Sequence, residues 1–208
     1  MTKTASTMMP LGTVLPSFDL PVVNRIENKR EKHLAHKALR QVSSDLFKKK
    51  PLLIMVICAH CPFVKHIENE ITNIQNDYLR SIDVVAISSN SLITHPKDGP
   101  EYLAKQANKN GWEFPYLFDE KQSLAKDLKA ACTPDFFLFA PLKEGIQKLY
   151  YRGQFDNSRP GNNIPVSGTD VRQALDSILE AKSISFEQKP SIGCNIKWHP
   201  GQEPHWFG

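Results

Sequence analysis

The chain has 208 residues, of which 40% are hydrophobic and 23% charged, with a net charge of +4. That length suits one domain, or one and a half, and is enough to bury a sizeable core. The balance excludes an acidic solvating chain and a strongly disordered one, and its basicity is too mild to argue for nucleic acid.

The longest apolar run, Leu52 to Ala59, has eight residues, where a membrane helix needs about 20. No membrane partner is expected. The opening MTKTASTMMPLG has neither the apolar core of a secretory signal nor the arginines of a transit peptide. Residues 1–9 are expected to be disordered, and the protein to be cytoplasmic, its cysteines mostly reduced at rest. Residues 10–24, with three prolines and short apolar alternation, read as turns and one or two edge strands. Residues 25–50 change character. They hold nine basic and three acidic side chains, a local +6 that leaves the other 182 residues at −2. A surface helix is expected over His33 to Phe47. The segment reads as a solvated basic insertion, the alternative being a docking surface for an acidic partner.

PLLIMVI, residues 51–57, is apolar at every position after the proline, as in a strand buried on both faces. Cys58-Ala59-His60-Cys61-Pro62 follows at once. Val64, Ile67, Ile71, Ile74 and Tyr78 then recur at spacings of three and four, one face of a helix with Pro62 in its first turn. Ile82 to Ile87 predicts a second buried strand. Helices are predicted over residues 98–110, ending at Gly111, and over Lys121 to Ala131. Asp135 to Ala140 and Ile146 to Arg152 read as a hairpin. Val171, Leu175, Ile178 and Leu179 mark a last amphipathic helix. Residues 185–208 lack periodicity and are expected to pack as an extended arm on a domain spanning residues 10–184. The order of elements is that of one α/β domain with helices on both faces.

A cysteine attacks as its thiolate, and a helix N-terminus favours that anion. The position between strand and helix predicts an exposed, activated Cys58. Cys61, one turn in, would resolve the mixed disulfide. His60, between them, would stabilise the thiolate or take its proton. Half a zinc site and inert packing are the alternatives for the pair. No second C-x-x-C accompanies it, and Cys132, Cys194, His199 and His205 make a weak partner set.

With strand, C-x-x-C, helix, and Thr133-Pro134 ahead of an apolar strand, the chain resembles the thioredoxin superfamily. It looks closer still to the peroxiredoxin-like, AhpC/TSA-type branch. The segments that carry this are GTVLPSFDLP (12–21), CAHCPFV (58–64), FPYLFDE (114–120), CTPDFFLF (132–139), YRGQFDNSRPG (151–161) and PSIGCNIKW (190–198). The resemblance implies a thioredoxin-like fold: a central mixed β-sheet with helices on both faces, and a cis Pro134 facing the cysteine pair. Two departures stand out. Peroxiredoxins place a threonine three residues before the reactive cysteine; counting back gives Met55 from Cys58 and Cys58 from Cys61. Ile57 stands where thioredoxins usually have tryptophan, and no carboxylate lies in Leu52 to Ile57 to accept the buried thiol's proton.

Three further residues follow from the resemblance. Cys132, in the loop that touches the pair, is either a third redox cysteine or a packed residue. Cys194, in the arm, is either a resolving cysteine or a structural thiol. Arg152 either holds a thiolate or substrate carboxylate, or makes an ordinary salt bridge. Phe63, Trp112 and Phe136 are expected to be core or rim aromatics, and His66 to face solvent. The expected activity is thiol–disulfide oxidoreduction without a cofactor or metal. Cys58 is the nucleophile, Cys61 resolves, and the partners are a protein or small-molecule disulfide and an external thiol reductant. The alternatives are a thiol-dependent peroxidase acting through Cys58 and a metal-binding module of the same fold.

Overall fold

The computed structural model describes residues 3–24 and 40–207. The expected basic helix falls partly on residues 33–39, outside that range. The strands are β1 (Lys3–Ala5), β2 (Asp19–Pro21), β3 (Gln41–Ser43), β4 (Leu52–Val56), β5 (Asp83–Ser88), β6 (Tyr116–Phe118), β7 (Cys132–Thr133), β8 (Asp135–Pro141), β9 (Gln147–Gly153) and β10 (Ile192–Asn195). The helices are α1 (Pro62–Tyr78), α2 (Pro100–Asn110), α3 (Ser123–Asp127) and α4 (Thr169–Leu179). None of the described helices is long and apolar enough to cross a membrane.

A five-stranded sheet runs β6-β5-β4-β8-β9. Strands β4, β5 and β6 are parallel, while β8 is antiparallel to both β4 and β9. In β4 every residue is buried because both faces are covered. Leu53 and Met55 meet α1, α2 and α4 through Val64, Ile67, Ile71, Leu103 and Leu175. Leu52, Ile54 and Val56 meet α3 and both ends of the chain through Leu124, Met9, Ile196 and Trp198. The unbroken apolar run is thus two alternating sets with a core on each side, each side chain worth roughly 1.5–3 kcal/mol of burial.

Four boundaries differ from the sequence expectation. Residues 3–5 are ordered, because β1 pairs with β10 along Lys3↔Cys194, Thr4↔Gly193 and Ala5↔Ile192. Residues 41–46 form β3 and a 3-10 turn in place of a helix. Val42 is buried against the second core there, and the Ser43 hydroxyl accepts the Asp45 amide. Helix α3 is short and ends ahead of Lys129, whose φ of 51° is left-handed. The arm contains β10, which bridges β1 and β7 in a second, antiparallel sheet.

β10 lies very close to the loop ahead of β8. A Cβ on Gly193 would stand 2.1 Å from the Thr133 carbonyl oxygen, so only glycine allows that approach. Gly193→Ala should therefore push β10 from β7 and cost about 1–3 kcal/mol. An unchanged urea midpoint would contradict this.

Asp135, at the start of β8, is also buried. Its Oδ1 accepts the Phe136 amide, and burial pushes its carboxyl up to about 8 against the pull of Ser191 and that amide. The folded chain then keeps a proton that the unfolded chain loses near pH 4. Stability should fall as pH rises from about 4 to about 8, by at most about 1.4 kcal/mol per pH unit. Thermal melts of Asp135→Asn across that range should be flatter than those of the native chain.

Candidate active site

The cysteine pair lies where β4 gives way to α1. The helix begins at Pro62, with Cys61 as its N-cap at φ −65° and ψ 123°. The sequence expectation put Cys58 there, exposed. In the structure Cys58 is 1% exposed and Cys61 is fully buried. The first-turn amides and the dipole therefore act on Cys61, with the Val64 amide turned toward its sulfur.

The two thiols are hydrogen-bonded to each other. Burial, then the Cys61 contact and the negative charge of Asp98, push the Cys58 thiol well above its ordinary value. The Cys58 hydrogen bond, with smaller help from Thr133, Cys194 and Val64, outweighs burial and draws Cys61 down to about 5. The Cys61 thiol donates to the Thr133 carbonyl, 3.2 Å from Cys61 Sγ, and the Thr133 hydroxyl lies 3.6 Å from Cys58 Sγ.

Thr133 thus touches both sulfurs, and its peptide bond to Pro134 is cis. His60 lies beside Cys58, with Nδ1 3.9 Å from Cys58 Sγ. The same nitrogen pairs closely with Asp98 Oδ2. Asp98 brings a carboxylate beside Cys58 and His60. It comes from the 3-10 turn Pro96–Asp98, is 0% exposed, and gathers donors from all sides. Oδ1 accepts the Ala59 and His60 amides at 3.0 and 3.1 Å, and Oδ2 accepts Asn90 Nδ2 at 2.8 Å. Burial works to raise its pKa, but the hydrogen bonds from His60 and Asn90 prevail and hold the carboxyl below the usual range. His95 stacks on His60 with ring centroids 5.1 Å apart. Gln106 Nε2 donates to the Cys58 carbonyl at 3.2 Å and so fixes the loop from α2.

Sequence reasoning did not find Asp98, Asn90 or Gln106, because they reach the loop from distant segments. The other expected residues divide. Thr133 and Pro134 face the pair. Cys194 contacts Cys61. Cys132 points away, its thiol 3.8 and 3.9 Å from the carbonyls of Pro134 and Ser191. Arg152 does not reach the thiols; it donates to the Met9 carbonyl and to Gln188 Oε1, tying both chain ends to β9. His66 is half-buried, not solvated, and pairs with Ser158 Oγ at 2.7 Å. A shallow cleft beside Pro134 is lined by Phe63, His66, Pro134, Phe155, Arg159 and Ser191 among others. Cys58 Sγ, His60 Nδ1 and an Asp98 oxygen lie within 4.8 Å of one another and are the donors a cation would meet. They are one short of the four ligands of a structural zinc site.

A protein-family model described as the AhpC/TSA family matches residues 11–155. The chain belongs to the AhpC/TSA family. It is 43% identical to an uncharacterized conserved protein from Geobacillus kaustophilus, over 97% of this chain and 98% of that one, with a TM-score of 0.84. It is 38% identical to a hypothetical protein from Sinorhizobium meliloti 1021, over 95% and 100%, with a TM-score of 0.82. AhpC of Mycobacterium bovis, 14% identical over 85% and 96% with a TM-score of 0.55, is alike in fold alone. Comparison with curated proteins returns no match. The fold is thioredoxin-like, as the mixed sheet and its helices already indicate. Membership of the AhpC/TSA family supports a thiol-based redox function, that of an oxidoreductase.

The opposite shifts of the two thiols have a measurable signature. Iodoacetamide labelling of the reduced protein should follow a thiolate present above pH about 5 and be lost as pH falls through that value. In Cys61→Ser the surviving Cys58 has no low-pKa partner, and labelling should move to the alkaline side of neutrality. An unmoved profile would contradict the assignment.

Proposed function

We propose that the protein is a thiol–disulfide oxidoreductase in which Cys58 attacks and Cys61 resolves. The observation that carries this is the thiol pair itself. The two cysteines stand at the start of α1, both sulfurs against Thr133 and its cis bond to Pro134. Of the two, Cys58 lies under the half-buried Ala59 and His60, whereas Cys61 faces inward to β7 and β10. With the proton on Cys61, the Cys58 thiolate attacks one sulfur of a substrate disulfide. That S–S bond breaks, and one half leaves as a thiolate that takes a proton from solvent or His60. Cys61 then loses its proton and attacks Cys58 Sγ. The Cys58–Cys61 disulfide forms and the second half leaves. An external dithiol restores the pair by the same exchange in reverse. The His60–Asp98 couple orients the imidazole and steadies the loop through each change of charge.

A second reading, peroxide reduction at Cys58, has one observation in its favour besides the family. The Thr133 hydroxyl lies 3.6 Å from Cys58 Sγ, although no threonine stands three residues before Cys58 in the chain. It would hold a peroxide oxygen beside the thiolate. The O–O bond would break, one oxygen would join Cys58 as a sulfenic acid, and the other would leave as water after protonation. Cys61 would then condense with the sulfenic acid with loss of a second water.

Turnover of a dithiothreitol-driven insulin or glutathione-disulfide assay separates these roles. Cys58→Ser should fall to background. Cys61→Ser should stop at a mixed disulfide of Cys58, visible by mass spectrometry after Ellman's reagent. Undiminished turnover in Cys58→Ser would sink the proposal. Oxidation by hydrogen peroxide much faster than free cysteine, with no disulfide turnover, would favour the second reading.

A further inference from the structure

Cys61 interacts with two other thiols, those of Cys58 and Cys194. The backbone enforces the second contact. Cys61 Sγ lies 3.2 Å from the Thr133 carbonyl, and Cys194 is the residue paired with Thr133 across β7 and β10. Gly193 lets that pairing close to the limit of backbone contact. Cys194 is 3% exposed and shares a core with Cys58 and Cys61. Cys132, its neighbour on β7, faces the carbonyls of Pro134 and Ser191.

We propose that Cys194 is a third redox cysteine that takes Cys61 from Cys58 by internal thiol–disulfide exchange. The inference rests on the Cys58–Cys61 disulfide of the preceding reading. The Cys194 thiolate attacks Cys61 Sγ, the Cys58–Cys61 bond breaks, and a Cys61–Cys194 bond forms. Cys58 leaves as a thiolate and receives the proton that Cys194 gave up. The number of disulfides does not change, so no outside oxidant is needed. Burial, with the Cys61 contact, pushes the Cys194 thiol up to about 12, which makes the exchange slow beside substrate turnover. Once Cys61 is oxidised its charge is gone, and that part of the barrier is relieved. The product ties the arm to α1 and returns a reduced Cys58 beside His60. A mixed disulfide formed there could not be resolved until Cys194 released Cys61.

Disulfide mapping of the full chain tests this. The protein is equilibrated with glutathione disulfide, quenched with acid and N-ethylmaleimide, digested, and read by mass spectrometry. Native protein should yield both Cys58–Cys61 and Cys61–Cys194 peptide pairs. Cys58→Ser should form Cys61–Cys194 in most molecules, and Cys194→Ser should form only Cys58–Cys61. If Cys61 in Cys58→Ser stays joined to glutathione while Cys194 is alkylated, the relay is overturned and the pair's own chemistry stands. If neither native protein nor Cys194→Ser forms Cys58–Cys61, the underlying reading fails instead. The native sample needs no substitution, so a folding defect in a variant leaves the test decisive: absence of its Cys61–Cys194 peptide overturns the relay.

Discussion

A carboxylate taken out of water must find donors for its oxygens, and Asp98 finds four. Two are the consecutive amides of Ala59 and His60, one is the His60 ring, and one is Asn90 beyond the end of β5. The loop between β4 and α1 is wrapped around this one side chain. That wrapping turns the His60 ring onto Cys58 and leaves Cys61 to start the helix. Loss of any donor would leave part of a buried charge unpaired, so the loop has little freedom to take another path.

The opposite wall is made by Thr133, which meets one cysteine with its hydroxyl and the other with its carbonyl. The two sulfurs are thereby made unequal. One is offered a donor and the other an acceptor, in surroundings dry enough for each hydrogen bond to count. Both ends of the chain serve this wall, since β10 pairs with β7 and β1 covers β10. The second sheet is small, yet it brings Cys194 to Cys61.

Much of this could be read along the chain. PLLIMVI contained its own buried strand, and the three-and-four spacing after Pro62 contained a helix that faces the sheet. The cis bond at Thr133-Pro134 came only from the resemblance to the thioredoxin superfamily, not from any local pattern. What periodicity could not settle was where α1 starts. Cys58 and Cys61 are equivalent candidates on spacing, and the choice fell to the Asp98 contacts with residues 59 and 60. The order of Lys3–Ala5 was likewise hidden. A three-residue polar strand has no signal of its own and exists because β10 offers it an unpaired edge.

The sequence by itself determined the architecture and the kind of chemistry. Buried strands, amphipathic helices and a C-x-x-C are local patterns, and local patterns survive in one dimension. Only the tertiary structure decided which cysteine the helix favours, which carboxylate stands behind His60, and which third thiol reaches the pair. Those depend on residues 38 to 133 positions away, brought together by sheet pairing and by the cost of burying charge. The asymmetry of charge along the chain follows the same division. The redox site is assembled from the nearly neutral body of the chain, and none of the described residues 40–50 contributes a side chain to it.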